Sequence, residues 1–203
     1  MMSTTGGTAH PRADAPRVYL AGPEVFLPDA TRIGAEKCRL ATEAGFEGVF
    51  PLDTALELDG LPPAEQARRN ALANEALMRS CDFVIANLTP FRGVSMDAGT
   101  AFEVGFMRAL GRPVFGYTNA VADFATRSRH YREGRRLAFD SDRADIAVED
   151  FGLAENLMIA VAISESGAAP IVPPGAATGD VTIAALDGFV AALAAARRLF
   201  ALT

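Results

Sequence analysis

Residues 82–117, DFVIANLTPFRGVSMDAGTAFEVGFMRALGRPVFGY, decide the fold. The stretch at 82–88 is apolar at successive rather than alternate positions, so both of its faces are due for burial, as in a central strand of a parallel sheet. Residues 99–110 carry a helical period, and Gly111 is a natural stop for that helix. Residues 113–117 are a second apolar run. A strand, a helix and a strand in that order make a crossover unit, and its two strands run parallel because the helix carries the chain back.

Upstream, residues 17–21 read as a first strand ending at Gly22-Pro23, and residues 31–44 as a helix stopped by Gly45. Residues 48–51 form a short second strand, and residues 63–80 a helix opened by Pro62-Pro63. Downstream, residues 119–150 are polar, rich in arginine and without clear period, which reads as a long loop. The five arginines of its segment 127–136, Arg127, Arg129, Arg132, Arg135 and Arg136, read as a solvated run, with contact to a 5′-phosphate as the alternative. Residues 156–164 look helical, 169–172 make a fifth strand, 173–180 a Pro/Gly loop, and 183–199 an amphipathic helix. The expectation is an α/β fold: one domain over residues 17–203, with a parallel five-stranded sheet flanked by helices. Residues 1–16, rich in Ser, Thr, Gly, Ala and Pro, read as a disordered tail.

Composition narrows the function. A chain of 203 residues can bury a core without a disulfide or metal staple. Its net charge of −6 lacks the footprint of a general nucleic-acid binder and favours a small substrate. Cys38 and Cys81 do not make a disulfide scaffold, which suits a reducing cytoplasm. The start lacks the pattern of a signal peptide, and no stretch is apolar for long enough to span a membrane. A soluble, cytoplasmic protein is expected. There is no Gly-x-Gly-x-x-Gly after the first strand and no Walker A loop, so dinucleotide and NTP chemistry are not expected. With only His10 and His130, no metal site can be built from His/Cys spacing. No cofactor is implied.

In open parallel sheets, ligands bind beyond the carboxyl ends of the strands. The segment Asp97-Ala-Gly-Thr-Ala-Phe-Glu103-Val-Gly105 lies there. Thr100-x-x-Glu103 has the form of a capping box, with Glu103 returning to the first N–H of the helix. The same position suits a carboxylate nucleophile, held ionised by the helix dipole at the mouth of the sheet. Asp97 fits either an N-terminal cap or a contact to a nucleobase. Asp53, after the second strand, fits either an Asx-turn or an acid facing the same crevice. Tyr19 is either a core aromatic or a hydroxyl that orients a carboxylate on its neighbour. Gly99 and Gly105 permit close approach of a ligand or a strand.

Taken together, Val18-Tyr-Leu-Ala-Gly-Pro-Glu-Val-Phe26, Phe50-Pro-Leu-Asp53, Cys81-Asp-Phe-Val-Ile-Ala-Asn-Leu88, Phe91-Arg-Gly93, Asp97–Gly105 and Asn156-Leu-Met158 resemble the nucleoside 2-deoxyribosyltransferase family. The resemblance implies a flavodoxin-like, Rossmann-like sheet. It implies that Glu103 attacks C1′ of a 2′-deoxynucleoside, that Tyr19 holds Glu103, and that Asp97 contacts and helps to protonate the base. Asn156 corresponds to a residue reaching the sugar 5′-hydroxyl in a neighbouring subunit's site, and Met158 to a residue packing on the base. This implies a homo-oligomer, a dimer or larger, acting on 2′-deoxynucleosides and free nucleobases. Gly22, Phe26, Asp53, Arg92 and Gly99 fall in the matching segments as substrate-binding candidates. Asn74 stands where some members carry a second base-contacting aspartate, so base protonation would rest on Asp97.

Two alternatives accompany the transferase. A 2′-deoxynucleoside 5′-monophosphate N-glycoside hydrolase would need a phosphate pocket near the first loop, where Glu24 places an acid that repels phosphate. A non-catalytic nucleotide-binding domain would bind without turnover, and would have no need of Tyr19, Asp97 and Glu103 together.

Overall fold

The computed structural model describes residues 15–51, 56–134, 147–166, 170–179 and 181–202. Four parallel strands form one sheet in the order β2-β1-β3-β4: β1 (Arg17–Ala21), β2 (Glu47–Val49), β3 (Phe83–Asn87) and β4 (Val114–Tyr117). Among the described residues, six helices accompany them: α1 (Ala30–Glu43), α2 (Pro63–Ser80), α3 (Ala98–Ala109), α4 (Phe124–Gly134), α5 (Leu157–Ser164) and α6 (Asp187–Leu199). A short 3-10 turn, Pro23–Phe26, follows β1.

Successive strand residues point to opposite faces, and the core divides accordingly. Val18, Leu20, Phe83, Ile85, Phe115 and Tyr117 face α1 and α6, with Phe46, Phe189 and Leu193 completing that layer. Tyr19, Ala21, Val84, Ala86 and Val114 face the other way, with Met78 of α2, Val104 and Met107 of α3 and Ile163 of α5. Every residue of β3 is buried, which is why its sequence has no alternation. Gly45 and Gly111 end α1 and α3 at φ 89° and 70°, a region where a side chain would be strained.

Two expectations need correction. The fifth strand is reduced to a single parallel bridge, Ile171 to Tyr117, held by the amides of Thr118 and Ile171. Pro173 follows two residues on and cannot continue a hydrogen-bonded ladder. The arginine-rich segment is not a loop throughout, since α4 occupies its first part. Arg127 on α4 is nearly buried, and Arg129 pairs with Asp150. Arg135 and Arg136 lie outside the described residues, as does the tail except for residues 15 and 16.

The strand order reverses direction at β1: the chain moves to one side for β2 and to the other for β3. The carboxyl ends of β1 and β3 therefore border the crevice where such sheets bind ligands. No described helix is long and apolar enough to cross a membrane.

Candidate active site

Tyr19 and Glu103 meet across this crevice. Tyr19 is fully buried on β1, in register with Val84 of β3, and its hydroxyl donates to Glu103 Oε1 at 2.7 Å. The tyrosine thus both fills the core and orients the carboxylate. Burial, reinforced by the negative charge of Glu103, keeps its hydroxyl protonated far above neutral pH.

The helix start differs from the capping-box expectation. Asp97, at φ −62° and ψ 137°, is the N-cap of α3, and its Oδ2 accepts from the Thr100 amide at 3.1 Å. Glu103 therefore lies more than a turn inside the helix, beyond the reach of the dipole argument. It is free of the backbone because Asp97 has taken the capping role. Its carboxyl is pushed up to about 7, chiefly by burial. The hydrogen bond from Tyr19 pulls the other way, the charge of Asp97 raises it, Lys37 lowers it and Glu24 raises it. Glu103 is thus poised to titrate near neutrality rather than held firmly ionised.

The remaining candidates fall into three groups. Some border the crevice at the ends of β1 and β3. A Cβ on Gly22 would stand 1.9 Å from Glu24 Oε2 and 2.9 Å from Asn87 Cβ, so only glycine fits. A Cβ on Gly99 would come within 2.9 Å of Asp97 Oδ2, which binds that glycine to the cap. Phe26 stacks on Phe91 at 5.4 Å and 12°, joining the loops after β1 and β3. The Arg92 guanidinium lies over both rings, 4.9 Å from Phe26 and 4.5 Å from Phe91, with its backbone at φ 58°. A non-glycine residue rarely adopts that conformation, so this loop is held under strain.

Others stand on helices. Asn74 is half-buried on α2, whose helix packs on α3 and β1. Asn156 caps α5, its Oδ1 accepting from the Met158 amide at 3.0 Å and its Nδ2 donating to Glu149 Oε2 at 2.9 Å. Met158 is 71% exposed. Asp53 lies outside the described residues. A hollow of about 450 Å³ at the opposite, amino-terminal edge of the sheet, lined by Asp82, Arg112 and Phe200, contains none of the candidates.

Two buried polar clusters escaped the sequence reading. Glu24 and Lys37 are both fully buried and pair at 2.8 Å. Glu24 Oε1 also accepts from Asn87 Nδ2 at 3.0 Å and the Tyr117 hydroxyl at 3.1 Å. Lys37 was legible in principle: with Ile33 and Ala41 it shares the core face of α1 at helical spacing, where a lysine requires a partner. Its charge neutralises Glu24, so the objection that this acid repels phosphate loses its basis. The second cluster joins Glu155, also fully buried, to Arg127 at 3.1 Å.

Fold and site define a doubly wound, parallel-sheet α/β protein with a phenol-held carboxylate at the carboxyl edge of its sheet. Residues 18–158 match the family model described as nucleoside 2-deoxyribosyltransferase, and the chain belongs to that family. An uncharacterized protein of Schizosaccharomyces pombe is 36% identical over 137 residues, 65% of this chain and 65% of that relative, less than two thirds of its length. The fold is similar to that of a 2-deoxyribosyltransferase from Leishmania mexicana, with 28% identity, 71% of this chain and 85% of that chain covered, and a TM-score of 0.52. A 2-deoxyribosyltransferase from Bacillus psychrosaccharolyticus, 19% identical over 77% of this chain and 98% of its own, has a TM-score of 0.43.

Proposed function

We propose that the protein transfers 2-deoxyribose between nucleobases through a covalent deoxyribosyl-glutamate. The observation that carries this reading is the 2.7 Å hydrogen bond from the Tyr19 hydroxyl to Glu103. It anchors Glu103 Oε1 and leaves Oε2 without a bond to Tyr19. Glu103, in its ionised form, attacks C1′ of a 2′-deoxynucleoside. The C1′–N bond breaks, and Asp97 passes a proton to the departing base. A second base then enters, attacks C1′ from the opposite side and expels Glu103, returning its proton to Asp97. Two inversions give net retention, as in retaining glycosidases. A 2′-hydroxyl would withdraw electrons from the developing oxocarbenium ion, so deoxy substrates are favoured. Gly22, Phe26, Arg92, Gly99 and Asn74 are proposed to shape the sugar and base pocket, together with Asp53. The reaction requires no redox cofactor.

Residues 17–203 are proposed to act as one domain in the cytoplasm, in a homo-oligomer. Supporting association, α5 is apolar on all sides, a composition that calls for cover, yet Met158 and Val161 are exposed. Asn156 and Met158 would then serve a neighbouring site.

The test is a product assay with 2′-deoxyinosine, with and without free adenine. A new deoxynucleoside appearing only with adenine is the expected result. Turnover in Glu103→Ala should fall to background, and near-normal rates in that variant would end the proposal. Hydrolysis is the second reading, in which water captures the intermediate. The pairing of Glu24 with Lys37 favours keeping it, since a 5′-monophosphate meets no free carboxylate there. Free hypoxanthine formed regardless of adenine would decide for it.

A further inference from the structure

We propose that Arg127 and Glu155 are positioning residues, which set the proton donor of the base-leaving step from outside the substrate pocket. This inference rests on the proposed transfer or hydrolysis and on the role given there to Asp97. The Glu155 carboxylate accepts four hydrogen bonds. Its Oε1 receives the Ser95 hydroxyl at 2.7 Å and the Asn156 amide at 2.9 Å. Its Oε2 receives the Met96 amide at 3.1 Å and Arg127 Nη2 at 3.1 Å. Arg127 in turn donates to three carbonyls, from Nε to Val94 at 2.7 Å, from Nη1 to Ala122 at 2.6 Å and from Nη2 to Ala154 at 3.0 Å.

These bonds tie together three segments distant in sequence: the loop after β3, the start of α4 and the approach to α5. A planar guanidinium with a fork of donors can hold several acceptors at fixed angles, which a lysine cannot. A fully bonded buried carboxylate is likewise rigid. The knot grips Val94, Ser95 and Met96, and the next residue is Asp97. It also grips Ala154 and Glu155, and the next residue is Asn156. Asp97 has its own cap bond to Thr100, but the direction from which the chain enters α3 is set by the knot. Fixing that entry fixes where the carboxyl of Asp97 can meet a base.

A group that sets turnover through Asp97 lowers kcat only for substrates that need its proton, whereas a shift of Asn156 or Glu103 would slow both donors alike. This separates positioning from a general structural role. The experiment compares kcat of the wild-type protein and Glu155→Gln on two donors. One is 2′-deoxyguanosine, whose base must take up a proton as it leaves. The other is 7-methyl-2′-deoxyguanosine, whose cationic base leaves neutral without one. Displacing a catalytic group by about 1 Å can cost on the order of 10²-fold, so a loss of that size is expected on 2′-deoxyguanosine. On the methylated donor the expected loss is below about threefold, because the interaction removed is made only when the base is protonated in the transition state. Arg127→Lys, which keeps the charge and loses the fork, should give the same selective loss. Should Glu155→Gln not fold, Ser95→Ala deletes one bond to Glu155, leaves the buried charges paired and carries the same comparison. Equal losses on both donors, or none on either, overturn the positioning role. A wild-type protein that turns over neither donor, nor a pyrimidine 2′-deoxynucleoside, overturns the proposed function itself.

Discussion

At the scale of the residue, the Tyr19 hydroxyl does two opposed things to Glu103. It orients the carboxylate, and by hydrogen-bonding it offsets part of the burial that pushes Glu103 up to about 7. Only the ionised form can attack C1′, so on 7-methyl-2′-deoxyguanosine, whose base leaves without a proton, kcat/KM should rise with pH through about 7 and level off above it. Tyr19→Phe removes a stabilising bond to the anion while leaving the ring in the core. The Glu103 pKa must then rise, since the lost bond favoured the charged form and the nearby charge of Asp97 still opposes it. The acidic limb of the kcat/KM profile moves to higher pH. A hydrogen bond to a charged group is worth about 1.5–3 kcal/mol, which corresponds to roughly ten- to hundredfold in rate. That deficit should be greatest below neutrality, where the shifted carboxyl is mostly protonated. A pH profile of Tyr19→Phe superimposable on the wild type would show that the phenol does not tune the nucleophile.

At the scale of the element, the buried pair on α1 and the turn after β1 decides whether these segments dock. Removing one member of a buried ion pair strands the other and costs about 3–5 kcal/mol. Lys37→Met should therefore lower the unfolding free energy by that amount, measured by chemical denaturation. Adding Glu24→Gln should recover much of it, since the stranded charge is gone. If the single and double variants are equally unstable, the cost comes from packing against Phe189 and Tyr117 rather than from the charge. The same elements show what a sequence can and cannot disclose. β3 was legible because both its faces are buried, and that is written directly into an unbroken apolar run. α4 was not, because its arginine is held by acceptors mostly far along the chain: Arg127 donates to the carbonyls of residues 94 and 154, and to that of 122 just before the helix. No local period records such bonds. At the start of α3 two capping patterns overlap, Asp97 to Thr100 and Thr100 to Glu103. Which one forms depends on Tyr19, eighty-four residues earlier, which engages Glu103. The residues of the Tyr19–Glu103 centre were readable through the family resemblance, whereas the partners that hold them in place were set by tertiary contact.

At the scale of the whole molecule, the unsettled feature is the outward face of α3 and α5. Phe102 is 58% exposed, Met158 71% and Val161 47%, on two helices that pack against each other. Apolar side chains scattered singly on a surface are ordinary, but a helix as uniformly apolar as Leu157–Ser164 lacks the polar face that water would favour. A second copy of the chain offers the same surface in return, and a two-fold axis pairs like with like. This arrangement would also place Asn156, already ordered as the cap of α5, at the boundary between subunits. Val161→Asp puts a charge on the exposed face of that helix, away from the core and from the residues assigned to the site, so the fold should persist with its thermal midpoint little changed. The assembly should not persist. Sedimentation should show the wild type as a dimer or larger and the variant shifted to monomer. Deoxyribosyl transfer should fall in proportion, and be regained at protein concentrations that restore association. A variant that dissociates yet transfers at the wild-type rate would show that each chain's site is complete alone, and would restrict Asn156 to capping its own helix.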